Sequence, residues 1–512
     1  MKNKIRIISL LLIFFISVTS FISCDTTDLN DVPPPKCEDH IDTDDNGSCD
    51  LCRVSLYIYV DFYAINDLHG KFNDTSSNNG VDELTTYLKN ASFTDDYTVF
   101  LSSGDMWQGS SESNLTGGKI ITEWMNELGF ASMTLGNHEF DWGEELVEEN
   151  ASLADFPILA INIFDRETDQ RVEYCDSSVV IEFDGFEIGI IGAIGDCYSS
   201  ISGDKSGEIY FKTGRELTAL VKEESQKLRA GGVDFIIYSL HDGFGQNEYS
   251  TTNVSSSQLS SYYDTSLSDG YVDLVFEGHT HQRYVLIDEY GVYHLQNGGE
   301  NKGISHVEIK LNSVTMSSAV NRAEFVDGSR YSYLLGDPLR DQLLEKYKED
   351  ISKGDELLGT LSSSKNSYII KEKVAELYYN KGIEIWGDEY DIVLGGGFIS
   401  ARSPYDLSSG DVKYSHLQSI LPFDNHLVLC SIKGYDLLNK FFETNNSNYF
   451  IYYEDYGQSV WDNIDPDGVY YIIVDSYTST YAPNRLTEIV RLDEDLFARD
   501  LLAEFIKNGG WQ

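Results

Sequence analysis

Five short polar clusters, each placed directly after an apolar run, constrain this chain more than any bulk property. The densest is Gly136-Asn137-His138-Glu139-Phe140-Asp141, which offers a metal-ligand amide, a histidine and two carboxylates within six residues. The others are Asp67-Leu68-His69, Gly104-Asp105, His241-Asp242 and Gly278-His279-Thr280-His281. Histidines and carboxylates recurring at the ends of buried-type strands point to a metal centre along one sheet edge. Asp67 and His69 are two positions apart, as are His279 and His281, so each pair is expected to point to one side of an extended segment. Asp105, alone beside a glycine, is the candidate bridge between two ions, which such a carboxylate holds about 3.5–4 Å apart. Asn137 adds a neutral oxygen and His241 another imidazole. The mixed N/O set suits two divalent ions of the Mn, Zn, Fe or Co kind better than Mg²⁺, which prefers oxygen.

Between the clusters the pattern alternates. Strand-like runs at Leu56 to Ala64, Tyr97 to Leu101, Ala131 to Leu135, Ile188 to Ile194, Phe235 to Leu240 and Leu274 to Phe276 are interleaved with helical spacing at Val81 to Asn90, Ile120 to Leu128 and Leu217 to Leu228. This β-α order predicts α/β layers. Asp337-Pro338 reads as a helix start and Gly354 as its stop, an interdomain helix over 331–354. The expected organisation is therefore a domain at 54–330, that helix, and a second domain at 355–512.

Charge narrows the partners. Lys and Arg total 37 against 84 Asp and Glu, a formal charge of −47. Such a surface repels nucleic acid polymers and anionic headgroups, and admits a small phosphorylated substrate only where bound cations reverse the field.

The N-terminus reads as an export signal over residues 1–24, with a basic start, an apolar run too short to span a bilayer, and Phe21-Ile22-Ser23-Cys24 as a lipoprotein-type end. Cys24 is the expected lipidated residue, which would make this an exported surface or periplasmic protein touching the membrane only through its anchor. A proline-containing tether covers 25–36. In residues 37–53, Cys37 and His40, then Cys49 and Cys52, have the spacing of a small Zn²⁺ knuckle. The intervening Asp42-Thr43-Asp44-Asp45-Asn46-Gly47 matches the first half of a Ca²⁺ loop, but its last position falls on Arg53. The alternative is a disulfide with one thiol left over. Whether Cys175 and Cys197 pair is open at this level.

The motifs Asp67-Leu68-His69, Gly104-Asp105-Met106-Trp107-Gln108-Gly109, Gly136 to Asp141, His241 and Gly278 to His281 resemble the calcineurin-like metallophosphoesterase superfamily. More narrowly they resemble its 5′-nucleotidase/UDP-sugar hydrolase/2′,3′-cyclic phosphodiesterase family. The resemblance implies a four-layer α/β/β/α metallophosphoesterase sandwich followed by a smaller α+β 5′-nucleotidase-like domain that binds substrate. It implies one metal on Asp67, His69, Asp105 and His281, and a second on Asp105, Asn137, His241 and His279. His138 would act on the phosphoryl group, oriented by Asp141. Gly395-Gly396-Gly397 resembles the family's glycine-rich loop, and Phe423 and Tyr477 its two base-stacking aromatics, with core packing as the alternative for either ring; the family's substrate-binding arginine shortly after the glycines corresponds to Arg402, which here follows the inserted-looking Phe398-Ile399-Ser400-Ala401. The chain departs from the family at Leu394, where Asn is usual, and at Tyr481 to Asn484, where Gly-Gly-Asp is usual. Lys371 and Lys373 stand nearest to where the first helix of the second domain should carry arginines. The implied activity is extracytoplasmic phosphate release from nucleotides. Cyclic phosphodiesterase or UDP-sugar hydrolase activity on the same scaffold, and a non-catalytic surface binding protein, are the alternatives.

Overall fold

Alternation along the strand Tyr57–Ile65 sets the layering. Val60, Phe62 and Ala64 join one apolar cluster, whereas Tyr63 and Ile65 join another. A strand that is apolar on both faces must be covered on both. In this computed structural model it lies inside a six-stranded sheet, ordered Ser317–Asp327, Gly303–Asn312, Tyr57–Ile65, Thr98–Ser102, Ser132–Thr134, Ile158–Leu159. Helices Val81–Thr94 and Lys119–Leu128 supply Leu84, Leu88, Ile121, Trp124 and Met125 over Tyr63 and Ile65. Gly129, at φ 71°, ends the second of these helices.

A seven-stranded sheet covers the other face, ordered Thr252–Asn253, Arg283–Ile287, Tyr293–Asn297, Leu274–Glu277, Phe235–His241, Phe186–Ile194, Ser178–Phe183. Phe235 and Ile237 share the cluster of Phe62, while Ile236, Tyr238 and Leu240 pack with Val221 and Leu228 of helix Gly214–Gly231. The result is helix, sheet, sheet, helix. The helix expected at 331–354 is broken at Tyr347 into Leu339–Lys346 and Lys348–Ile351. It is docked rather than free: Leu339 and Leu343 enter the first core cluster, and Arg340 pairs with Asp82 at 2.6 Å.

A mixed five-stranded sheet follows, ordered Tyr449–Tyr452, Ile392–Phe398, Val469–Asp475, Leu427–Lys433, Leu486–Arg491. Helices Ser367–Trp386 and Ala498–Lys507 pack on it through Ile370, Val374, Tyr378, Leu502 and Ile506. The whole is a mixed α/β fold.

The described residues are 40–43, 47–73, 80–94, 97–248, 250–402, 404–439, 449–453, 460–481, 485–492 and 496–511. The expected signal, tether, Cys24 and Cys37 lie outside them. The chain divides into two units, Met1–Leu56 and Tyr57–Gln512. Among the described residues no helix is long and apolar enough to cross a membrane.

Candidate active site

Every predicted metal ligand sits in a loop after a strand or on its last residue. Tyr57–Ile65, Thr98–Ser102 and Ser132–Thr134 run parallel and lead to Asp67 and His69, Asp105, and Asn137. Phe235–His241 and Leu274–Glu277 run parallel in the facing sheet, ending at His241 and leading to His279 and His281. The carboxyl ends of the two sheets thus meet. The ligands converge by an unexpected route. Asp67, His69, Asp105, His279 and His281 have φ of 51°, 49°, 54°, 69° and 53°, so these segments are not extended. Left-handed backbone at five non-glycine residues costs energy and persists only where the surroundings impose it.

Nε2 of His69 is 3.0 Å from Nε2 of His281, and Nε2 of His281 is 3.3 Å from Oδ1 of Asp67. Nδ1 of His279 is 2.9 Å from Oδ1 of Asn137. Oδ2 of Asp105 lies 3.2 Å from Nε2 of His241 and 4.0 Å from Nε2 of His69, between the two groups. The rings are held from behind: Nδ1 of His241 donates to the Ser103 carbonyl at 2.6 Å and Nδ1 of His69 to the Gln108 carbonyl at 2.9 Å. That turns Nε2 of each ring inward, where a metal ion can take it. Nε2 of His241 is buried without a hydrogen-bond partner.

Electrostatics agree with a cation-binding centre. Burial opposes ionisation of Asp67 and Asp105, but His281 and His241 respectively outweigh it, and both carboxyls are held below the usual range. Burial, helped by Arg402 for His69 and by His241 for His279, holds those two imidazoles neutral, His279 at about 4. Burial opposes a proton on His241 too, yet Asp105 raises it to about 10. A metal ion would satisfy the same carboxylates in place of that proton. These residues fit two divalent ions.

Glu139 accepts backbone N–H bonds from Asp105 and Met106 at 2.9 and 2.7 Å, from Trp107 at 3.2 Å and from Gly136 at 2.7 Å. It ties the Asp105 loop to the Asn137 loop. Its carboxyl is raised to about 7, first by burial and then by Asp105. Glycine is required beside it: a Cβ on Gly136 would lie 2.3 Å from Oδ1 of Asp105.

Nδ1 of His138 donates to Asp141 at 2.8 Å, and its backbone N–H to Oδ1 of Asp105 at 2.8 Å. Its Nε2 accepts from Nη2 of Arg402 at 2.5 Å. Burial opposes protonation of His138, but Asp141 and then Asp105 prevail and its pKa is raised.

These groups open onto a cavity of about 290 Å³, lined by Asp105, Asn137, His138, His279 and His281 on one side and by Arg402, Phe423 and Tyr477 on the other. The Arg402 guanidinium lies 5.5 Å over the Phe423 ring. Two groups escaped notice in the sequence. Phe398 lines the cavity with its ring 5.4 Å from that of Tyr477, and an aromatic directly after three glycines was the available signal. Buried Arg499 donates to the carbonyls of Pro422 and Phe423 at 3.2 Å and pairs with Asp424, setting the Phe423 segment in place. No local pattern announced it.

Gly395, Gly396 and Gly397 are not a loop and do not line the cavity. They belong to the strand Ile392–Phe398, where neighbours leave no room: a Cβ on Gly395 would meet the Tyr379 backbone at 2.5 Å, and one on Gly396 the Phe450 carbonyl at 2.1 Å. Lys371 and Lys373 do not reach the cavity either. Cys175 and Cys197 are unpaired thiols, donating to the carbonyls of Ala160 and His241 at 3.4 and 2.8 Å. Two further histidines lie outside the site in structural ion pairs: His294 sits against Glu277 at 2.8 Å, and His306 bonds Asp61 at 2.5 Å. In the N-terminal unit, donor atoms of His40, Cys49 and Cys52 lie within 4.8 Å of one another.

Residues 60–283 match the calcineurin-like phosphoesterase family. Among curated proteins, an apyrase of Tabanus yao is 26% identical over 419 residues, 74% of this chain and 72% of its own. Protein UshA of Yersinia enterocolitica is 23% identical over 407 residues, 72% of this chain and 71% of its own. The solved 5′-nucleotidase precursor from Thermus thermophilus shares the fold, with a TM-score of 0.66 at 16% identity over 88% of this chain and 96% of that one.

Proposed function

We propose that this chain, whose residues 60–283 match the calcineurin-like phosphoesterase family, is an exported, dinuclear-metal 5′-nucleotidase. The observation that carries this reading is the position of Asp105: its Oδ2 stands between Nε2 of His241 and Nε2 of His69, at 3.2 and 4.0 Å. Asp67, His69, Asp105 and His281 would hold one ion, and Asp105, Asn137, His241 and His279 the other. The ions, when bound, supply Lewis acidity toward phosphoryl oxygens and acidify a nucleophilic water.

The chain's own groups do the rest. Asp141 orients His138 through Nδ1, so that Nε2 faces Arg402 and the cavity. A substrate phosphate is a better acceptor for a guanidinium than an imidazole is, since the bond becomes charge-assisted. Arg402 thus moves from His138 to the phosphate, and the freed Nε2, favoured for protonation by Asp141 and Asp105, takes up a proton from solvent and delivers it to the leaving oxygen. Phe423 and Tyr477 both line the cavity, which supports a role for them in stacking a base. On this reading residues 54–330 hold the metals, residues 355–512 select the substrate, and Cys24 anchors the protein outside the cytoplasm.

The test is phosphate release with added Mn²⁺ from 5′-nucleoside monophosphates, 2′,3′-cyclic nucleotides and a UDP-sugar in parallel. Preference for the monophosphates supports the proposal. Turnover confined to either of the other two reassigns the substrate, and no turnover of any by metal-loaded protein overturns it.

A further inference from the structure

The unit Met1–Leu56 carries a donor cluster that the phosphoesterase site does not use. Nδ1 of His40 is 3.3 Å from Sγ of Cys52, and donor atoms of His40, Cys49 and Cys52 all lie within 4.8 Å of one another. The two cysteines are 1% and 4% exposed, yet no disulfide joins them. Their turn is built tightly. The Arg53 N–H reaches the Cys49 carbonyl at 2.8 Å, Cys49 N–H reaches Val54 at 2.9 Å, and Leu56 N–H reaches Gly47 at 2.8 Å. Ser48 and Ser55 form an antiparallel bridge, and Arg53 takes φ 60° to close the turn. A second set of bonds brings the His40 segment alongside: Asp50 N–H to the Ile41 carbonyl at 2.8 Å, and Thr43 N–H to the Asp50 carboxylate at 2.9 Å.

The apolar core of this unit, among the described residues, is Cys49, Cys52 and Leu56.

We propose that His40, Cys49 and Cys52 form a structural zinc site that orders the N-terminal unit and takes no part in hydrolysis. A tetrahedral ion with Zn–S bonds of about 2.3 Å and Zn–N bonds of about 2.0 Å needs donor separations of roughly 3.5–3.8 Å, and the His40–Cys52 pair already approaches this.

The full-length chain loaded with Co²⁺ tests this. Thiolate ligation gives a sulfur-to-cobalt charge-transfer band, whereas the proposed catalytic ligands are all nitrogen and oxygen. Wild type is expected to show the band, and Cys197→Ser, which alters the thiol nearest the catalytic histidines, to keep it. Cys49→Ser/Cys52→Ser should lose both the band and one zinc per chain while releasing phosphate at the wild-type rate. His40→Cys should strengthen the band, a gain that misfolding does not produce. Cobalt-loaded wild type without the band, a band that survives Cys49→Ser/Cys52→Ser, or a Cys49–Cys52 disulfide in the isolated protein would each overturn the proposal. The readout is spectral, so it stands or falls separately from phosphate release.

Discussion

The Arg402 guanidinium donates to Nε2 of His138 across 2.5 Å, while Nδ1 of the same ring donates to Asp141 at 2.8 Å. An arginine lacks an acceptor, so Nε2 is bare while this contact holds, and the pull of Asp141 and Asp105 toward a protonated ring is expressed once Arg402 leaves. A residue from the C-terminal half thus holds the group assigned to the leaving oxygen until a phosphate draws it away.

Arg402→Ala removes that phosphate contact. A lost hydrogen bond to a charged group costs about 1.5–3 kcal/mol, so kcat/KM should fall roughly 10- to 150-fold, with KM raised. Arg402→Lys should recover only part of this, because an ammonium cannot reproduce the planar fork. Steady-state kinetics on a 5′-nucleoside monophosphate measures both variants.

Glu139→Ala strips four backbone N–H groups of their acceptor at once. Each unsatisfied buried donor costs about 1–3 kcal/mol before relaxation. We expect a loss of several degrees in Tm together with weaker metal retention, because the loops bearing Asp105 and Asn137 come apart. Calorimetry and metal analysis on one preparation check the two effects together.

Gly136→Ala places a methyl group 2.3 Å from Oδ1 of Asp105. The Asp105 carboxylate must shift, so this variant should fold but retain less metal and turn over more slowly. Asp105→Asn should lose metal and activity together.

The ligand loops were legible because each follows a buried strand with histidine, carboxylate or amide where a core residue would otherwise continue. The reason they converge was not legible. Asp67 and His69 meet one side through left-handed backbone, which tertiary contacts impose and i, i+2 spacing does not encode. Glu139 showed no chemical duty in the sequence, because three of its four donors lie 32 to 34 positions away. The triple glycine was misplaced for a related reason. Glycines mark close approach as often as turns, and the approaching backbone at Tyr379 and Phe450 is invisible locally. Arg499 positions Phe423 from 76 residues away and left no pattern at all.

His294 gives a pH signature of folding. Burial opposes its protonation, but Glu277 and Asp288 prevail and raise it from 6.5 to about 9. A histidine raised in the folded state contributes stability that is full below its unfolded pKa and lost as pH rises through the folded value. Tm should therefore decline between about pH 6.5 and 9, and His294→Gln should flatten that decline while lowering Tm at neutral pH. Thermal melts across the range decide it.

The central claim is that metals and His138 are separate parts of one hydrolytic site. It is tested most directly by Mn²⁺ content and phosphate release measured on the same samples of wild type and His138→Ala. Positioned proton transfer contributes about 10²–10⁴-fold. The account predicts equal Mn²⁺ content and a kcat at least about 100-fold lower in the variant; an unchanged kcat at equal metal content would contradict it.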